Sequence, residues 1–164
     1  MNKPLVLVAA LSALIAAPAA AENWHELAIT GDAISYGDAD SLTKNGDEVS
    51  ARVMLGLREA IGQDADIEFL VSSVRFSCRT GRYFVEKVSG LDGAREVVAA
   101  LPGSREWKQV AEGTLYASFR DFACTAASTR QVADPFAATA QFWRPDEELI
   151  QAGTIELAGQ FYAG

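Results

Sequence analysis

Histidine is almost absent from this chain: His25 is the one imidazole in 164 residues. A zinc site built from three histidines, or from two and a carboxylate, is therefore excluded. A Ser-His-Asp arrangement would have to use His25, and no G-x-S-x-G elbow is present. Glycine-rich phosphate loops are missing too, since Ser89-Gly90-Leu91-Asp92-Gly93 has neither a Walker lysine nor Rossmann spacing. Basic residues are few, 14 against 22 acidic ones, for a net charge of −8. Such a surface repels nucleic-acid phosphates and anionic lipid head groups, so a nucleic-acid partner is excluded. The acidic runs Asp38-Ala39-Asp40 and Asp64-Ala65-Asp66-Ile67-Glu68 lack the glycine and distant glutamate of a calcium loop and read as solvated acids. Neither a metal nor a cofactor is implied. No internal repeat or low-complexity run occurs.

What is present begins with an export signal. Lys3 precedes an apolar run from Leu5 to Ala17, and Ala19-Ala20-Ala21 fits the A-x-A cleavage pattern. The run is short for a membrane span, which needs about 20 apolar residues, and no charged flank stops transfer. No cysteine follows it, which closes the bacterial lipoprotein route. Residues 1–21 are thus expected to be a cleaved signal peptide, with no span left in the mature chain. Their removal takes away Lys3 and no acid, leaving the mature chain one unit more negative.

Export makes the two cysteines, Cys78 and Cys124, legible. An oxidising compartment favours disulfides, and two thiols allow one intramolecular bridge. A redox or nucleophilic thiol would call for a CxxC spacing or a nearby histidine, and neither is found.

The early mature chain reads as strands from Trp24 onward. Ala33 to Tyr36 is short and β-compatible; Ser41 to Thr43 and Glu48 to Leu57 flank Lys44-Asn45-Gly46-Asp47, where Asn-Gly signals a hairpin. Val49, Ala51, Val53 and Leu55 alternate with Ser50, Arg52 and Met54, which predicts one buried face and one mostly wet face. Ile67 to Cys78 is a long strand with Val74, Phe76 and Cys78 on one face and Arg75, Ser77 and Arg79 on the other. Thr80-Gly81 turns, and Tyr83 to Val88 returns. A two-residue loop would place Arg75 across from Glu86 but Arg79 across from Arg82, so a wider loop stays open.

Arg95 to Leu101 is ambiguous between helix and strand, Pro102-Gly103-Ser104 is a turn, and Trp107 to Val110 is a short strand. Glu112 to Ala126 reads as a helix, with Leu115, Phe119, Phe122 and Ala126 as its apolar stripe and Thr114 as a candidate cap. A Cys78–Cys124 bridge would tie a sheet strand to this helix. In the tail, Asp134-Pro135 signals a helix start, and Phe136, Ala140 and Trp143 could form a stripe. Glu147 to Ala152 could add another turn. The fold class expected is α+β: an antiparallel sheet with helices packed on one face and one disulfide. Residues 1–21 are the signal, 22–128 the domain, and 129–164 a tail with helical segments whose docking the sequence leaves open.

The one local charge feature against the acidic background is Arg75, Arg79, Arg82 and Lys87 around the hairpin, a candidate face for an acidic protein partner. The plain alternative is a wet strand face whose arginine stems cover apolar surface.

The order of these pieces carries a resemblance. Trp24 opens a strand, Tyr36-Gly37-Asp38 follows, and a hairpin lies near Asn45-Gly46. Val74-Arg75-Phe76-Ser77-Cys78 precedes the return at Tyr83-Phe84. Trp107 comes before Gly113-Thr114-Leu115-Tyr116, and Phe122-Ala123-Cys124 closes the pattern. Over about residues 24 to 126 this resembles the surface-adhesin protein E family of bacterial envelope proteins. The resemblance implies a bridged pair of cysteines, an antiparallel sheet carrying helices, and an envelope address, periplasmic or secreted. The family's namesake binds host matrix and serum proteins partly through a basic stretch around its first cysteine, which would map to Arg75, Arg79 and Arg82. This chain departs from that pattern in having no lipidated cysteine and an acidic balance.

Two function classes follow. The first is an exported, non-catalytic binding or structural module. The second is an exported enzyme in which carboxylates converge with one another or with Tyr36, Tyr83 or Tyr116 in a deep pocket.

Overall fold

The computed structural model describes residues 22–64, 66–125 and 129–144. The expected signal peptide, Ala126 at the end of the helical stripe, and the possible turn at Glu147 to Ala152 lie outside them. An eight-stranded antiparallel sheet forms the frame. Its strands are β1 (Trp24–Ile29), β2 (Ala33–Asn45), β3 (Glu48–Ile61), β4 (Ile67–Ser77), β5 (Arg82–Leu91), β6 (Val97–Pro102), β7 (Lys108–Gln109) and β8 (Arg130–Val132). Helices α1 (Leu115–Thr125) and α2 (Pro135–Trp143) complete the chain. The order β6-β5-β4-β3-β2-β1-β8 is a meander that closes with β8 returning to the free edge of β1, while β7 pairs the far end of β5. Short local connections are what an antiparallel meander permits. The ambiguous Arg95–Leu101 segment resolves as strand β6 from Val97 onward, with Arg95 and Glu96 outside it.

The first hairpin forms at the Asn-Gly signal, displaced by one residue. Asn45 pairs Glu48, so the two turn residues are Gly46 and Asp47. Only Gly46 has positive φ, at 63°, which is the pattern of a turn with glycine at its first central position. Ala33–Tyr36 and Ser41–Thr43 are joined in one strand, β2, with an irregularity between Asp38 and Thr43.

Cross-strand rows fix the two faces. Gly37, Val53 and Ser72 lie in one row and Tyr36, Met54 and Val71 in the next, on the opposite face. Helix α1 covers the first face: Val53, Val74, Phe76 and Ala51 cluster with Ala117 and Phe119, and Phe122 lies over Gly37. Helix α2 covers part of the second: Phe136, Ala138 and Trp143 pack on Ile34, Tyr36, Met54 and Phe69, and Thr139 lies over Gly56. The α+β fold with an antiparallel sheet, packed helices and one disulfide is as expected. The helices, however, take opposite faces rather than sharing one. Gly37 and Gly56 permit these close approaches, because a Cβ at either would overlap the helix side chain above it. Met54, on the face expected to be mostly wet, is fully buried because α2 lies there. Each large side chain sealed in these layers contributes roughly 1.5–3 kcal/mol.

Both helices start for local reasons. Asp134 caps α2, its carboxylate accepting from the backbone N–H groups of Phe136 and Ala137, with Pro135 in the first turn. Of the expected α2 stripe, Phe136 and Trp143 face the core, but Ala140 is exposed and Thr139 is buried in its stead. Helix α1 begins at Leu115, after Gly113 at φ 76°. Thr114 does not cap it through its side chain: the hydroxyl donates back to the Ala111 carbonyl at 2.7 Å. Cys78 and Cys124 are joined, with their α-carbons 5.6 Å apart, pinning the end of β4 to the last turn of α1. No helix among the described residues is long and apolar enough to cross a membrane.

Candidate functional site

The β4–β5 hairpin carries the four cations picked out in the sequence. Its loop is the wider one, because Ser77 pairs Arg82, leaving Cys78 to Gly81 between the strands. Arg75 therefore sits opposite Phe84 rather than Glu86. A register shift between Ser73 and Val74 still brings Glu86 within reach, and the Arg75 guanidinium donates to its carboxylate at 2.6 Å. Glu48 approaches the same guanidinium at 3.6 Å. The Arg75 charge lies 5.5 Å from the Phe84 ring centroid, with Nε buried and without a hydrogen-bond partner.

Arg79 is at the hairpin tip, 3.6 Å from the Asp47 carboxylate. Asp47, in the β2–β3 turn, also accepts from the Arg79 backbone N–H and the Ser77 hydroxyl, and its carbonyl accepts from Cys78 N–H. One carboxylate thus ties two hairpin tips beside the disulfide. Arg82 donates to the Trp107 carbonyl at 3.2 Å, and Trp107 stands edge-on to Phe84 with centroids 4.7 Å apart. Among the described residues, neither Arg82 nor Lys87 is in an ion pair. Arg75, Arg79 and Arg82 thus gather at the hairpin end, the first two partly neutralised, while Lys87 lies further along β5 in the cross-strand row of Ser73 and Arg52.

The sequence reading missed how far this polarity extends. Residues 75–108 hold Arg75, Arg79, Arg82, Lys87, Arg95, Arg105 and Lys108 against Glu86, Asp92, Glu96 and Glu106. Residues 22–74 hold 11 acids against 3 bases. Because the strands stack in near-sequential order, this asymmetry along the chain becomes a spatial one. The β1–β3 half is acidic, whereas residues 82–109, which carry β5, β6 and β7, hold 5 bases against 4 acids and are close to neutral.

Next to the hairpin, the sheet face shared with α2 continues past the helix as an open polar groove of about 450 Å³. Glu22, Asp38, Asp40, Ser41, Ser50, Arg52, Ser73 and Glu86 line it. At its acidic end Arg52 bridges Glu22 and buried Asp38, the latter at 3.0 Å, and lies 5.1 Å over the Trp24 ring. Burial would raise the Glu22 carboxyl, but hydrogen bonds from Arg52 and Trp24 outweigh it and hold the group below its ordinary range.

The three tyrosines do not converge. Tyr36 is buried under α2, its hydroxyl in contact with Thr139 at 3.1 Å, and burial pushes its phenol up. Tyr83 and Tyr116 stack on each other at 4.1 Å on the α1 face, and burial, then the neighbouring Tyr83, raises Tyr116. No carboxylate hydrogen-bonds any of these phenols among the described residues, nor is there a cluster of three potential metal ligands. His25 lies between Asn23 and Thr129 on β1, hydrogen-bonded to both. Compared with family models, with curated proteins and with solved structures, the chain matches none.

Proposed function

We propose that this chain is an exported, non-catalytic protein-binding module of a bacterial envelope, periplasmic or secreted, and that its contact surface is the hairpin end of the sheet around Arg75, Arg79, Arg82 and Lys87. The observation that carries the reading is the charge polarity across the sheet. An acidic protein that sets four cations around one hairpin steers an acidic surface of a partner to that hairpin and repels it from the acidic β1–β3 half. The disulfide beside the hairpin supports the reading by holding the loop that presents Arg79, and it accords with an oxidising compartment. The resemblance to the surface-adhesin protein E family points the same way, since that family's basic stretch falls on the same strand end. Its host matrix ligands are one class of candidate partner.

Arg82 and Lys87 are the discriminating positions, because neither is in an ion pair among the described residues. Photo-crosslinking residues placed at 79, 82 and 87 should capture a protein in the native envelope, whereas the same group at Glu59 on the acidic half should not. Capture at 82 should vanish when Arg79 and Lys87 are changed to Ala. Equal capture from both halves of the sheet would remove this surface from consideration.

A further inference from the structure

We propose that β6 is a self-association strand, through which two copies of this chain pair antiparallel across a twofold axis. β6 ends the sheet, so its outer edge has no neighbour among the described residues. An edge strand in a protein that stays monomeric is normally blunted by charge, by shortness or by a covering segment. The opposite edge follows that rule: β8 is three residues long and begins with Arg130.

β6 does the reverse. Val97-Val98-Ala99-Ala100-Leu101-Pro102 is the one described strand with no charged or polar side chain. Val97 and Leu101 are 62% and 63% exposed and Val98 is 42% exposed. The least polar strand of an acidic protein is thus exposed at all but one of its residues, and only Pro102, which lacks an N–H, limits pairing at one end.

The flanks argue for a second copy as the occupant. Arg95-Glu96 precedes the strand and Arg105-Glu106 follows it, and the chain past Gly103 keeps to the same edge of β5 until β7 pairs there. When two such strands run antiparallel with their apolar residues matched, each Glu96 comes within side-chain reach of the partner's Arg105, at both ends at once. A twofold contact needs this self-complementarity. Parallel pairing would set Arg95 against Arg95 and Glu96 against Glu96. One strand edge buries less than the roughly 800 Å² per partner of a standard interface, so the dimer is a reversible one.

Sedimentation velocity on the protein purified from expressing cells, over a wide concentration range, tests this. The expected result is a monomer–dimer equilibrium that Leu101→Lys weakens by about tenfold or more, with circular dichroism unchanged. Glu96→Arg should weaken it as well, and adding Arg105→Glu to that variant should restore it. A chain that is monomeric at every concentration, or a dimer indifferent to Leu101→Lys, overturns the proposal. Failure of the charge swap to restore association overturns the antiparallel contact.

Discussion

The hydroxyls of Tyr36 and Thr139 meet at 3.1 Å in the sealed layer between β2 and α2, while the Thr139 hydroxyl donates to the Pro135 carbonyl at 2.8 Å. Both residues are buried, so no solvent can replace a missing partner. Thr139→Val keeps the volume but strands the phenol, and should destabilise the protein by about 1–3 kcal/mol. Tyr36→Phe leaves Thr139 bonded to Pro135 and should cost only about 0.5–1.5 kcal/mol. Urea midpoints in the opposite order would show that this contact does not hold α2 to the sheet.

The disulfide makes a second prediction. Cys78 and Cys124 are 46 residues apart in sequence, and closing a loop of that size removes unfolded-state entropy equivalent to roughly 4 kcal/mol. Changing both cysteines to Ser, or reducing the bridge, should lower the urea midpoint by about that amount. Loss of far less than 1 kcal/mol would mean that Asp47 and the α1 packing hold the hairpin tip without the covalent link.

Much of this architecture was legible from residue pattern because the strands are long and locally connected. The Val74–Phe76–Cys78 face, the Asp134-Pro135 helix start and the β3 alternation all rest on near neighbours. What escaped depends on distant chain. Met54 reads as a wet-face residue until α2, some 80 positions later, arrives to cover it. Only the fold shows that helices approach closely at Gly37 and Gly56, and that they come from opposite sides. Arg75 finds Glu86 through a strand irregularity that no two-residue turn rule contains. Arg130–Val132, for which the residue pattern shows no strand signal, becomes one because β1 leaves an edge free. The charge face was half visible: the four cations stand out in sequence, whereas their pairing with Glu86, Glu48 and Asp47 is tertiary.

The paired glycines separate the two faces experimentally. Gly37→Ala would push into Phe122 on α1, and Gly56→Ala into Thr139 on α2. Each should cost about 1–3 kcal/mol by overpacking. Because the sites lie on opposite faces with no shared partner, the double variant should show additive losses within about 0.5 kcal/mol. Strong non-additivity in equilibrium unfolding would imply that the helices share one layer.

Asp134 supplies a pH dependence whose sign is fixed by its contacts. Burial raises its carboxyl, but the hydrogen bond from Arg95 at 2.7 Å and the backbone N–H groups of Ala137 and Phe136 outweigh that and hold it below its ordinary value of 3.8. A carboxyl depressed in the folded state stabilises above its unfolded value, and that stability is lost as the pH falls through the folded value. Asp134→Asn keeps a capping side chain but cannot ionise, so it removes only the charge contribution. At neutral pH the native protein should exceed this variant by about 0.2–1 kcal/mol, the range for a half-exposed ion pair. The gap should narrow as the pH drops below about 4. Asp134→Ala also loses the cap, and should cost about 0.5–2 kcal/mol at neutral pH. Arg95 holds its position at φ 70°, 4.7 Å over the Phe136 ring, so Arg95→Gln should reproduce the Asn variant's flattened acid profile. Unfolding curves in which the gap between native protein and Asp134→Asn stays constant, or widens in acid, would show that this pair does not fasten the β5–β6 loop to α2.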